Sequence, residues 1–81
     1  MQVKVEYYAQ LREAIGLEEE LFEMAEGSTL ADLLDLASQR HPALDAWRGK
    51  ILFAADLDYV ESSHVISPSE VISFMPPLQG G

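Results

Sequence analysis

Leu30, Leu33, Leu34 and Ala37 recur at i, i+3, i+4 and i+7, and no other stretch of the sequence carries so long a helical stripe. A stripe of that width covers one face of one sheet, so the chain is expected to be an α+β domain built around one main helix. Thr29, with Asp32 three positions later, forms a weak capping box in which Asp replaces the usual Glu or Gln. The helix should stop near Arg40, because His41 precedes Pro42 and the pre-proline position disfavours helical geometry. Ala43 to Trp47 leaves room for one further turn. A chain of 81 residues buries about 60% of its unfolded surface, which is enough for one core and too little for two.

Around that helix the pattern is extended. Val3, Val5 and Tyr7 alternate with Gln2, Lys4 and Glu6, the period-two signature of a strand covered on one side. Leu11, Ala14 and Ile15 then share a short helical face that ends at Gly16, a residue suited to the left-handed stop. Past the acidic run Glu18 to Glu20, read as a solvated edge, Phe22 and Met24 fall on one face of a second strand. Lys50 to Asp56 and Val71 to Met75 are strand candidates, with a short extended piece at Tyr59 and Val60 and a turn at Ser67-Pro68-Ser69. The order strand, short helix, strand, long helix, then strands is the plan of the ubiquitin-like β-grasp, a mixed sheet with the main helix packed across it. Other small α+β folds share that order. We expect a β-grasp domain over residues 1–75 and an extended, flexible C-terminal tail over 76–81.

Charge and composition exclude several functions. Fourteen acidic residues against five basic ones give a net charge of -9, which repels phosphate backbones and anionic headgroups, so neither nucleic acid nor membrane is an expected partner. Such a surface suits a partner with a basic docking face, although simple solubility explains it equally well. The sequence has no cysteine, so there is no disulfide framework, no thiolate metal site and no cysteine nucleophile. The longest apolar run, Ile51 to Ala55, is far below the roughly 20 residues of a membrane helix, and no secretory signal pattern opens the chain. A cytoplasmic protein is expected.

The end of the sequence is where chemistry is expected. Pro76 and Pro77 cannot donate ladder hydrogen bonds, so the sheet should end there and Pro76-Pro77-Leu78-Gln79-Gly80-Gly81 should leave the body extended. At about 3.3 Å per residue the tail reaches about 20 Å, enough to carry a terminal carboxylate into a pocket on another protein. Gly80 and Gly81, without Cβ atoms, pass through a narrow channel. An ionised carboxylate is a poor electrophile and needs activation. Attack on the α-phosphate of ATP gives an acyl-adenylate, and a sulfur nucleophile that displaces AMP leaves a thiocarboxylate. Tethered on a tail, that sulfur reaches a bound acceptor at high effective concentration.

Phe74-Met75-Pro76-Pro77-Leu78-Gln79-Gly80-Gly81 resembles the closing segment of the MoaD family, the small subunits of molybdopterin synthase, and Val3 to Glu13 resembles the family's opening strand and short helix. The resemblance implies a subunit with no catalytic side chain of its own. It also implies that a MoeB-like enzyme uses ATP to adenylate Gly81, which becomes the thiocarboxylate that gives sulfur to cyclic pyranopterin monophosphate. Pro76, Pro77 and Gly80 guide the tail into a MoaE-like large subunit, in a heterotetramer of two small and two large subunits. Tyr8, Phe74, Met75 and Leu78 match positions beside the motifs and are the implied contacts, with Tyr59 as a further candidate. No bound cofactor and no metal are expected. The chain departs from the family at Ser67-Pro68-Ser69-Glu70-Val71, where Gly-Asp-Glu-Val is common, and at Asp56, where Asn often stands.

The remaining polar residues are weak candidates. His41 and His64 have no carboxylate or second His at a metal-like spacing, and Ser62-Ser63-His64 is a polar turn rather than a triad. Trp47 is read as a partly buried anchor. Alternation should push some of Tyr8, Phe74 and Met75 to the outer face of the sheet, where an apolar surface on so acidic a protein would mark a docking patch. Two other functions compete: a thiamine-type carrier of the ThiS kind, typically shorter and without the Pro-Pro spacer, and a ubiquitin-like modifier or binding module.

Overall fold

The computed structural model describes residues 1–77. The described chain runs β1 (Gln2–Tyr7), α1 (Ala9–Ile15), β2 (Glu19–Glu23), α2 (Leu30–Arg40), a 3₁₀ segment at Pro42–Trp47, β3 (Leu52–Ala55), β4 (Asp58–Val60) and β5 (Val71–Met75). The strands form one mixed sheet in the order β2-β1-β5-β3-β4. β5 lies at its centre, parallel to β1 and antiparallel to β3, while β2 and β4 are the antiparallel edges. This is the β-grasp plan expected from the element order.

Alternation decides the two faces. Val3, Val5, Tyr7, Ile72, Phe74, Phe53 and Ala55 point to one side and join the core with Leu30, Leu33, Leu34 and Ala37 of α2. The α2 cap is complete: Thr29 Oγ1 accepts the Asp32 N–H at 3.3 Å, and Asp32 Oδ2 accepts the Thr29 N–H at 2.9 Å. The helix ends at His41, whose N–H bonds the Ala37 carbonyl at 2.8 Å, and the following 3₁₀ segment buries Leu44. Gly16 closes α1 at φ 85° with its N–H on the Arg12 carbonyl at 2.7 Å, the left-handed cap that an L side chain resists. Trp47 is half-buried against the core, as its anchor reading requires.

One expectation changes. The acidic run does not end before the strand, because β2 begins at Glu19 and Glu20 stands opposite Val5 on the inner side. Its carboxylate is held there by three partners. Tyr7 Oη donates to Oε1 at 2.6 Å, His41 Nε2 lies 2.7 Å from the same oxygen, and Arg40 Nη1 lies 3.4 Å from Oε2. A carboxylate is tolerated under a sheet edge only when its oxygens are satisfied in this way.

Candidate functional site

The strand that precedes Pro76, β5, lies at the centre of the sheet, paired with β1 on one side and β3 on the other. Phe74 is fully buried and packs edge to face between Tyr7, at 5.7 Å between ring centroids, and Phe53, at 5.2 Å. Burial of such a ring contributes about 1.5–3 kcal/mol. The expected contact role of the Phe74 side chain is thereby corrected: it belongs to the core, because an even step from Ile72 puts it on the inner face.

Met75, one residue on, turns outward. It pairs with Leu52, and the Tyr8 N–H bonds the Phe74 carbonyl at 3.1 Å, which brings Tyr8 alongside. Across the outer face the next row is Glu6, Ser73, Ala54 and Tyr59, set by the registers of β1, β5, β3 and β4. Ala54 and Ser73 are covered by their neighbours yet stand outside the core cluster. Tyr8 is 38% exposed and Tyr59 68%, while Met75, Pro76 and Pro77 are half-buried. Three of the expected contacts, Tyr8, Met75 and Tyr59, thus share one face beside the tail root. Leu78, Gly80 and Gly81 lie outside the described residues.

The outer face is divided by chemistry. On the β1 and β2 side Lys4 Nζ lies 3.1 Å from Glu19 and 3.9 Å from Glu6, a charged strip. On the β5, β3 and β4 side Val71, Met75, Leu52, Ala54 and Tyr59 make an apolar strip that runs toward Pro76. Tyr8 bridges the two, with Oη donating to Glu6 at 2.9 Å and the Arg12 guanidinium 5.8 Å from its ring centre. The hydrogen bond to Glu6, followed by partial burial, raises the Tyr8 phenol above its ordinary pKa, so it is a neutral donor. Leu52, Ala54 and Val71 were absent from the sequence-based contacts, although stepping by two from Tyr59 and Met75 through their partner strands would have found them.

Each histidine finds a carboxylate that spacing along the chain could not reveal. His64 Nε2 lies 2.9 Å from Glu70, whose same oxygen accepts the Ser67 N–H at 2.8 Å. With the Ser67 carbonyl taking the Glu70 N–H at 3.0 Å, these bonds close the turn that leads into β5. Both histidine pairs tie loops or a helix end to the sheet. Among the described residues no group of three or more His, Cys, Asp or Glu side chains is placed to hold a metal ion, and no helix is long and apolar enough to cross a membrane.

A family model described as "ThiS family" matches residues 5–81. The molybdopterin synthase sulfur carrier subunit of Chlamydomonas reinhardtii is 36% identical over 83 aligned positions, covering all of both chains. Among solved structures, small archaeal modifier protein 1 from Methanosarcina acetivorans superposes with a TM-score of 0.80 at 26% identity, over 99% of this chain and 96% of that one. A chain in the complex of subunits 1 and 2 of the molybdopterin-converting factor from Helicobacter pylori superposes with a TM-score of 0.70 at 23% identity, over the whole of both chains.

Proposed function

Because the chain belongs to the ThiS family, we propose that it is the sulfur carrier subunit of a molybdopterin synthase, and that its working group is the carboxylate of Gly81. The observation that carries the reading is the setting of the tail. Pro76 and Pro77 follow directly on a central strand pinned by the Tyr7–Phe74–Phe53 stack, beside an apolar strip on the open face of the sheet. The full-length likeness to the Chlamydomonas reinhardtii sulfur carrier subunit supports the choice of pathway.

In this reading an ATP-dependent activating enzyme joins the Gly81 carboxylate to AMP with release of pyrophosphate. A sulfur donor then displaces AMP to leave the thiocarboxylate. The charged tail enters the large synthase subunit, where sulfur passes to cyclic pyranopterin monophosphate, and Gly81 returns as a carboxylate. The body supplies no acid, base or nucleophile to these steps. It places the tail root, and it presents Tyr8, Met75 and Tyr59 to the partner. The large apolar contribution to such contacts comes from a few well-packed anchors, which fits an outer strip with aromatic residues at both ends. The reaction belongs in the cytoplasm, where ATP and the activating enzyme are at hand, and the complex is read as two small and two large subunits.

The test is reconstitution. Thiocarboxylated protein mixed with a large synthase subunit should convert cyclic pyranopterin monophosphate to molybdopterin, and the unmodified carboxylate form should not. Turnover by both forms, or by neither when a known small subunit works in the same mixture, would contradict the reading. A second reading, a protein modifier, is favoured by the 26% identical archaeal modifier protein. It predicts isopeptide bonds between Gly81 and lysines of other proteins, detectable as branched peptides after proteolysis.

A further inference from the structure

We infer a second docking surface, at the edge of the sheet between α2 and the outer apolar strip, with which it shares Leu52 and Tyr59: a groove along edge strand β4 that takes an extended segment of a partner protein, with apolar residues alternating with Lys or Arg. The groove has a volume of about 670 Å³. Leu34 of α2 with Ile51 and Phe53 lies along it, Ala31 and Val60 flank it, and Tyr59 contributes to its lip. Leu34, Ile51 and Phe53 retain 8%, 9% and 8% exposure, where the deepest core residues have none. An apolar side chain of moderate size fits such a space.

The backbone of β4 supplies the second half of the site. Asp56 N–H bonds the Val71 carbonyl at 2.8 Å, so Ala54 and Asp56 turn their backbone groups toward β5, while Phe53 and Ala55 turn theirs toward β4. Ala54 and Tyr59 are therefore a non-hydrogen-bonded pair, and the Tyr59 N–H and C=O point outward from the edge. Among the described residues they meet no other backbone group. An extended chain laid beside β4 satisfies both and drops alternate side chains toward the groove.

Charge selects the occupant. Asp58 shares the inner side of β4 with Val60, and Glu61 lines the groove. Arg48, the lining cation, is already paired with Asp35 of α2 at 2.5 Å. With Asp58 and Glu61 set against Lys50, which stands between the lining residues Gly49 and Ile51, the rim keeps a small net negative charge on a body of charge -9, which attracts a basic segment and repels an acidic one. A second copy of this chain is disfavoured by the same charge.

The experiment titrates the isotope-labelled full chain with two synthetic peptides, one alternating valine with lysine and the other valine with glutamate. Amide shifts and hydrogen exchange are followed by nuclear magnetic resonance. The lysine peptide should slow exchange at the Tyr59 amide and shift Ala31 and Val60, and added salt should weaken it. Ala31→Phe, which fills the groove, and Tyr59→Pro, which removes the outward donor, should each weaken binding by roughly tenfold or more, the loss of about one good interaction. Ala31 lies on an exposed helix position, so that variant should remain folded even if the proline variant does not. The inference is overturned if the lysine peptide shows no effect at about 1 mM, the weak limit of specific binding. Equal binding of the glutamate peptide overturns it, as do shifts confined to Ala54, Val71 and Met75. Protection of Tyr59 that grows with protein concentration alone would assign the edge to a second copy instead.

Discussion

Asp56 and Val71 hold each other by both backbone groups of Val71: its N–H donates to Asp56 Oδ1 at 3.0 Å, and its carbonyl accepts the Asp56 N–H at 2.8 Å. Asp56 begins the turn between β3 and β4 at φ 54°, a left-handed conformation that Asp and Asn adopt more readily than most residues. The two places where the sequence departs from the MoaD pattern, Asp56 and the turn ending at Val71, thus meet in space at the entry to β5. Asp56→Ala should cost about 1–2 kcal/mol, from an unpaired N–H and an unfavourable φ, while Asp56→Asn should cost less than about 0.5 kcal/mol. Urea midpoints of the two variants check this.

Glu20 is the largest concentration of polar bonding beneath the sheet. Glu20→Ala strips the Tyr7 hydroxyl and the His41 ring of their partner and should cost about 1–3 kcal/mol. Glu20→Gln should recover part of the loss, because it still accepts one bond. Thermal or urea unfolding of both variants measures the difference.

Burial, and after it the hydrogen bond to Glu20, push the Tyr7 phenol far above its ordinary pKa. A phenol raised in the folded state contributes stability that is fully present below its unfolded value near about 10 and is lost as pH rises above it. Urea midpoints at about pH 8 and about pH 11 should therefore fall more steeply for the wild type than for Tyr7→Phe.

At the other end of the sheet the sign reverses. The Ser67 N–H, which outweighs the opposing effect of burial, and after these the His64 ring, hold the Glu70 carboxyl below its ordinary value. Its contribution is present above the ordinary carboxylate value and is lost as pH falls through the lowered native one. Glu70→Gln should lower stability at neutral pH and flatten the acid limb of the stability curve. An unchanged acid limb would show that the turn does not depend on that charge.

The β-grasp order was legible from Val3-Val5-Tyr7, the Leu30–Ala37 stripe and Pro42, because local periodicity and capping agree with the tertiary result at each of them. Phe74 was misassigned because the family motif drew attention to its neighbours, whereas counting by twos from Ile72 puts it inside. Glu20 was read as solvated because an acidic run is usually exposed. Only the fold brings Tyr7 and His41, 13 and 21 residues away, onto its carboxylate. The groove beside β4 likewise joins residues from α2 and β3 that share no sequence signal.

The outer apolar strip predicts a separation of binding from folding. Met75→Glu and Tyr8→Ser should each weaken capture of a large synthase subunit by about 2 kcal/mol, the loss of one anchor, while the unfolding midpoint changes little. Titration calorimetry beside a urea curve for each variant distinguishes this from a general loss of structure.

The central claim, that Gly81 carries sulfur, is tested most directly by intact mass. The protein is incubated with ATP, an activating enzyme and a sulfur donor, beside a variant lacking Gly81. Exchange of one oxygen for one sulfur in the full chain alone is the predicted result. An unchanged mass with an enzyme shown to be active on another carrier would contradict the account and leave a ubiquitin-like binding module in its place.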